Sequence, residues 1–239
     1  MSLTVKTKNF LRSYESKISK IRLYLRFGII VLIALPVLGV AQTYPSVNYT
    51  IDNGLPSNTI RCIYKDSRGL LWIGTEAGLC CYDGLAFKIY NESNGLKGSS
   101  IWSITEDEEG SLWFSIYTVG LAKYDGKSFT HYNVSNGLVS NNIRKVYYSK
   151  RKKCLVIASE NGVGVYDKRT FKSFHKQDSV NKFQIVDIQE FGNRILVTSR
   201  FHGVYELKIG KGVQSAKLDS LFNTGIAFAS YFEKNQLFI

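Results

Sequence analysis

The sequence predicts an all-β fold. The expected architecture is a β-propeller of four-stranded blades, incomplete at about four and a half blades and preceded by a signal peptide. Three observations carry that expectation. A set of markers returns about every 41 residues. The repeating unit consists of short apolar runs separated by tight-turn residues. Aromatics make up 13% of the chain against only three prolines, a balance that suits strands and compact turns.

The markers keep register. Asn53-Gly54-Leu55 recurs as Asn94-Gly95-Leu96 and Asn136-Gly137-Leu138. The Ile60/Ile63 pair recurs as Ile101/Ile104, Ile143/Val146 and Ile185/Ile188, and weakly as Ile226/Ala229. Leu71-Trp72-Ile73 recurs as Leu112-Trp113-Phe114, Leu155-Val156-Ile157, Leu196-Val197-Thr198 and Leu237-Phe238-Ile239. Gly78/Tyr82 recurs as Gly120/Tyr124, Gly162/Tyr166 and Gly203/Leu207.

Each element of the first repeat has its own reason. Asn58–Lys65 reads as an inner strand with Ile60 and Ile63 apolar, and Asp66–Gly69 as a tight turn whose glycine takes a left-handed backbone. Leu70–Thr75 is a fully apolar second strand, and Glu76–Gly78 turns the chain into a third strand, Leu79–Asp83. Asp83-Gly84 signals a hairpin into an outer strand, Ala86–Asn91. Strands with little alternation suit a sheet buried on both faces, as a blade is between two neighbours. Trp72 and Trp113 are expected in the seams between blades, with valine in their place in repeats three and four.

Repeats start near residues 58, 99, 141, 183 and 224, so a partial propeller is expected over 45–239. Val47–Thr50 lies at the spacing of a lone outer strand, the device by which a propeller closes its ring. The last residues read as the middle of a second strand, so the final repeat is expected to be truncated. A blade face of roughly 500 Å² left unburied forgoes on the order of 10 kcal/mol. The chain alone is therefore expected to be a poorly stable partial ring.

Residues 1–41 read as a signal peptide. A long basic stretch precedes Phe27–Ala41, an uncharged run of fifteen residues. As a helix it spans about 22 Å, short against a hydrocarbon core of about 30 Å. Gly39-Val40-Ala41 supplies small residues for cleavage before Gln42; an uncleaved anchor is the alternative. Either way the repeats are exported, and the expected location is periplasmic.

The net charge of +12 does not indicate nucleic acid. Seven of the 31 basic residues precede Phe27, and beyond residue 41 the balance is 24 basic against 18 acidic, a net of +6 spread through turns. The dense run Lys150–Lys153 falls in a hairpin turn and is expected to face solvent.

The string running from Asn53 through Leu71-Trp72-Ile73-Gly74-Thr75 to Tyr82-Asp83-Gly84 and Phe87 resembles the two-component regulator propeller repeat. Residues Asn53–Tyr90 match it nearly throughout and Asn94–Tyr132 match well. Asn136–Phe174 lack the Asp–Gly turn and the tryptophan, and Phe183–Ile209 follow by register. The resemblance implies a periplasmic sensor of glycans or their breakdown products. In the family, a β-sandwich, a membrane span and a cytoplasmic histidine kinase usually follow. It also implies an inner-membrane location for the full-length protein and a homodimeric sensor.

No catalytic constellation is visible, and no cofactor is expected. His131, His175 and His202 lie in separate repeats without metal-ligand neighbours at useful spacing, and no Gly-rich loop opens a helix. Cys62, Cys80, Cys81 and Cys154 read as buried free thiols. The better candidate is the mouth of the central channel, where loops entering inner strands meet loops joining second to third strands. That face collects Arg61, Glu76, Trp102, Tyr117, Arg144, Glu160, Asn161, Arg200 and His202, with Asn58 and Asn142 beside them. Arg61, Trp102 and Arg144 occupy one equivalent position. The loop after Trp113 carries one extra residue, Tyr117 or a neighbour, where a ligand would be tuned. Arginines beside an aromatic suit a sugar ring or a carboxylated glycan, the ring stacking and the guanidinium forks binding carboxylates or hydroxyls.

The expected function is ligand sensing for a two-component histidine kinase whose output domains lie outside this chain, with a small-molecule or oligosaccharide ligand. The alternatives are a secreted propeller scaffold or a non-functional gene fragment. An enzyme would require acidic or histidine residues clustered on one face.

Overall fold

The computed structural model describes residues 17–20, 22–26, 46–175, 183–222, 231–233 and 236–238. The chain divides into two units, Met1–Asn48 and Tyr49–Ile239. In the first, residues 17–20 and 22–26 are helical and exposed; the apolar run at Phe27–Ala41 lies outside the described residues. Among the described residues no helix is long and apolar enough to cross a membrane.

The second unit is all-β, built from four four-stranded antiparallel sheets and one two-stranded sheet. Blade 1 holds β1 (Ile60–Lys65), β2 (Leu71–Thr75), β3 (Leu79–Tyr82) and β4 (Phe87–Tyr90). Blade 2 holds β5 (Ile101–Glu106), β6 (Leu112–Ile116), β7 (Gly120–Tyr124) and β8 (Phe129–Tyr132). Blade 3 holds β9 (Ile143–Ser149), β10 (Cys154–Ser159), β11 (Gly162–Tyr166) and β12 (Phe171–Phe174). Blade 4 holds β13 (Ile185–Phe191), β14 (Arg194–Ser199), β15 (Gly203–Lys208) and β16 (Lys217–Phe222). Strands β17 (Tyr231–Glu233) and β18 (Gln236–Phe238) pair within the fifth repeat. In every blade the strands are ordered as in sequence, a meander joined by short turns.

Apolar residues on successive blades close three seams. In the first, Trp72 packs against Phe114 (5.7 Å between ring centroids) and Tyr124 (5.8 Å). In the second, Trp113 packs against Tyr166 (5.7 Å), with Leu155 and Ile157 beside it. Val156 replaces tryptophan in the third, where it joins Val197, Phe183 and Tyr205 (5.1 Å between the last two rings). In blade 4 the ladder places Leu196, not the expected Val197, at the tryptophan position, and Val197 is the counterpart of Phe114 and Ile157. The face of blade 1 turned away from blade 2 is open: Ile63 is 59% exposed, whereas its equivalent Ile104 is 8% exposed.

The Asn-Gly-Leu repeats are capped 3-10 turns that lead into the inner strands of blades 1, 2 and 3. The Asn94 carboxamide accepts from the Asn91 N–H (2.7 Å) while the Asn91 side chain accepts from Ser93 N–H (3.0 Å). Asn136 and Asn133 repeat the arrangement, as do Asn53 and Thr50. The glycines follow at φ between 92° and 106°, where a side chain would be strained, and Leu55, Leu96 and Leu138 are buried. Residues 46–50 form no strand, contrary to expectation. Thr50 instead caps the first of these turns, and the Tyr49 hydroxyl hydrogen-bonds that of Tyr82 (2.9 Å). A strand needs a ladder partner, and no described strand pairs with these residues.

The turn between inner and second strands is tied to the seam. The Asp66 carboxylate accepts from Trp72 Nε1 (3.0 Å), and that of Asp107 accepts from Trp113 Nε1 (2.9 Å). Burial raises the Asp66 pKa, but hydrogen bonds from Trp72 and Arg68 outweigh it and hold the carboxyl below its usual range. All four cysteines are free thiols; burial pushes Cys62, Cys80 and Cys154 up to about 12. Of the basic turn at Lys150–Lys153, Lys150, Arg151 and Lys153 are exposed.

Candidate functional site: a paired ring at the channel mouth

One backbone contact recurs at the same end of all four blades. The first residue after the second strand donates its N–H to the carbonyl just ahead of the inner strand. The four bonds are Glu76 to Thr59 (3.2 Å), Tyr117 to Ser100 (2.9 Å), Glu160 to Asn142 (3.0 Å) and Arg200 to Gln184 (2.8 Å). Beside each contact the inner strand bulges, its ladder skipping Arg61, Trp102, Arg144 and Val186. A bulge leaves one residue unpaired and re-aims its side chain. Each blade thus carries one bulge residue and one loop residue at this end of its sheet.

The side chains at these positions pair within their own blade. Arg61 forms an ion pair with Glu76. Trp102 stacks on Tyr117, with ring centroids 4.7 Å apart and an interplanar angle of 18°. Arg144 pairs with Glu160 (2.9 Å). The pairs also join across blades: the guanidinium of Arg61 lies 4.8 Å from the Trp102 ring centroid, and that of Arg144 lies 5.2 Å from it. The Tyr117 hydroxyl donates to Glu160 (2.8 Å). Three blades therefore contribute to one continuous network centred on Trp102.

Glu160 is its electrostatic anchor. It accepts from Tyr117, from the Asn142 amide (3.0 Å) and from Arg144. Burial raises its pKa, yet these three donors outweigh burial and hold the carboxyl below the usual range, so it is ionised at neutral pH. The Tyr117 hydroxyl is raised, first by its bond to Glu160 and then by burial. Gln184 extends the network. With its amide oxygen toward Arg144 it accepts from Nη2 (2.9 Å) and Nε (3.2 Å). In the reverse orientation it meets Glu160 at 3.5 Å and Arg200 at 3.4 Å. The first orientation gives the shorter bonds and is preferred.

The structure brings together Arg61, Glu76, Trp102, Tyr117, Arg144 and Glu160, and it places Arg200 beside Gln184. Two other expected residues sit apart from the network. Asn161 is exposed and bonded through its backbone to Ser159. His202 is near Ser199 (3.4 Å) and edge-on to Phe183 (5.6 Å). Asn58 is committed to structure, accepting from the Ile51 N–H (3.0 Å) in the first capped turn. The extra residue of the second loop is absorbed at Thr118, whose φ of 68° turns the backbone so that Tyr117 reaches Trp102. Ser100, which accepts from Trp102 Nε1 (2.9 Å), and Gln184 were missed. Repeat register would have found both, since they align with Thr59 and Asn142.

The ring of Trp102 is already in use. Tyr117 and both guanidinium groups already pack on its ring, and both arginines are paired with the protein's own carboxylates. A ligand here must exchange with these partners. Among the described residues no group of His, Cys, Asp and Glu could hold a metal ion.

Residues 54–77 and 95–118 match the family described as two component regulator propeller. No curated protein matches the chain. Among solved structures, the extracellular domain of the hybrid two component system BT3049 from B. thetaiotaomicron superposes with a TM-score of 0.63 at 21% identity. The match covers 79% of this chain and 28% of that one. The extracellular domain of BT4673 from the same organism gives a TM-score of 0.51 at 18% identity, covering 75% of this chain and 31% of that one. Virginiamycin B lyase from Staphylococcus aureus, solved with quinupristin, gives 0.55 at 14%, covering 74% and 61%. The chain thus spans under a third of the two component structures it resembles, and what it shares with all three is the propeller fold. The chain is thus similar to the two component regulator propeller family over residues 54–77 and 95–118, which hold the inner and second strands of blades 1 and 2.

Proposed function

We propose that this chain is the extracytoplasmic ligand-sensing propeller of a two-component sensor. The observation that carries the reading is the match of blades 1 and 2 to the regulator propeller family. The fold shared with extracellular domains of two component systems supports it. On this reading the protein is periplasmic and the propeller does no chemistry. It acts as part of a homodimeric, membrane-anchored sensor whose histidine kinase output lies outside these 239 residues. The ligand is a small molecule or oligosaccharide held at the channel mouth by the network around Trp102.

A mouth built of paired side chains from three successive blades suits a sensor. A ligand that exchanges partners with several blades at once has differential contacts in two arrangements, which a population shift requires. The test uses the complete sensor with a transcriptional reporter and an oligosaccharide panel. Trp102→Ala and Arg144→Ala should each reduce the response to the activating sugar at least tenfold, while Lys152→Ala on the distant turn leaves it intact. An unchanged response in both mouth variants would reject the site.

A further inference from the structure

The two arginine–glutamate pairs at the mouth occupy equivalent positions but are not equivalent in their surroundings. The side chains of Arg144 and Glu160 are 23% and 13% exposed, and Glu160 is held by three donors from three positions. Arg61 and Glu76 are 37% and 44% exposed, and among the described residues the Glu76 carboxylate takes its side-chain contact from Arg61 alone. Removing a partner from a buried, multiply bonded pair is strongly unfavourable, whereas an exposed pair separates at little cost.

We propose that Glu76 is an internal plug, a carboxylate occupying the place that a ligand carboxylate takes on Arg61. The ligand is accordingly an acidic sugar, and Glu76 sets its affinity. This inference rests on the channel-mouth reading given above. The geometry supplies the rest of the site. The Arg61 guanidinium lies over Trp102, so a carboxylate that replaces Glu76 brings its sugar ring to the edge of the indole. A guanidinium donates parallel N–H bonds to the two oxygens of a carboxylate, and the ligand and Glu76 offer the same acceptors to Arg61. Arg144 stays on Glu160 throughout and keeps Trp102 and Tyr117 in place.

The test is a tryptophan-fluorescence titration of the full chain with trigalacturonate and with neutral cellotriose. Glu76→Gln keeps the shape of the side chain and removes the competing charge. It should tighten trigalacturonate binding about two- to fivefold, the range by which exposed ion pairs contribute. Arg61→Gln should weaken that binding, and cellotriose should not distinguish Glu76→Gln from the wild type. Unchanged or weaker trigalacturonate binding in Glu76→Gln overturns the plug, as does equal tightening for cellotriose or an absence of trigalacturonate binding to both proteins. Trp102→Ala, followed by titration calorimetry because it lacks the reporting indole, separates the two readings. If it abolishes binding while Glu76→Gln has no effect, the mouth is still the site and the plug is wrong.

Discussion

Asp107 shows how much one side chain holds here. Its Oδ1 accepts from the backbone N–H groups of Glu109 (3.0 Å) and Ser111 (2.9 Å), and its Oδ2 accepts from the Trp113 indole. Both Asp107 and Trp113 are almost fully buried. Removing the carboxylate strands the Ser111 N–H and the Trp113 indole away from water, and each unsatisfied buried donor costs about 1–3 kcal/mol. Asp107→Ala should therefore lose about 3 kcal/mol in urea unfolding. Combined with Trp113→Phe the loss should be less than additive, because the second change removes one stranded donor. The coupling was legible but unread. Aspartate stands six residues before tryptophan in both of the first two repeats, and repeat three lacks both, with Ser149 and Val156 at those places.

At the scale of the element, strand order and limits follow closely from local sequence. The expected Leu70–Thr75 strand is observed as Leu71–Thr75, and Leu79–Asp83 as Leu79–Tyr82. These runs are apolar, bounded by turn residues and too short to be helices. The bulges were not legible, because nothing in Arg61, Trp102 or Arg144 marks a skipped ladder position. They form where inner and second strands of unequal length must meet. The glycine that opens each third strand was recognised only as a repeat marker. At Gly162, φ is 148°, and a Cβ would collide with the Phe174 carbonyl on the neighbouring strand. Gly162→Ala should cost at least about 2 kcal/mol, by strain and by loss of the outer-strand ladder. Gly69→Ala, also at positive φ but with open space around it, should cost about 1 kcal/mol. Thermal melts of the two variants side by side check the difference.

At the scale of the molecule, stability is a property of seams. Each blade buries a face only because its neighbour supplies another, so a residue's worth depends on which side of its sheet it lies. Ile63 and Ile104 are equivalent in sequence, yet Ile63 lies on the open face of blade 1 and Ile104 in the first seam. Ile104→Ala should destabilise by about 3 kcal/mol, while Ile63→Ala should cost under about 1 kcal/mol. Equal losses in urea titrations would show that the face of blade 1 is covered in solution. Blade 4 departs from the others in its last link. Residues 209–216 replace a short hairpin turn and place Val213 and Ala216 in the third seam.

The repeat, the four strands of each of the first four blades and the seam tryptophans were all determined by the sequence by itself. They depend on local patterning repeated at a constant period, which a single chain displays without reference to its fold. Tertiary structure alone decided which of those residues meet. The stacking of Trp102 on Tyr117, the two guanidinium groups over one indole and the unequal burial of the Glu76 and Glu160 carboxylates are contacts between positions 15 to 43 residues apart. They arise from the bulges that re-aim the inner strands and from the packing of one blade against the next. Neither leaves a periodic trace in the residues themselves.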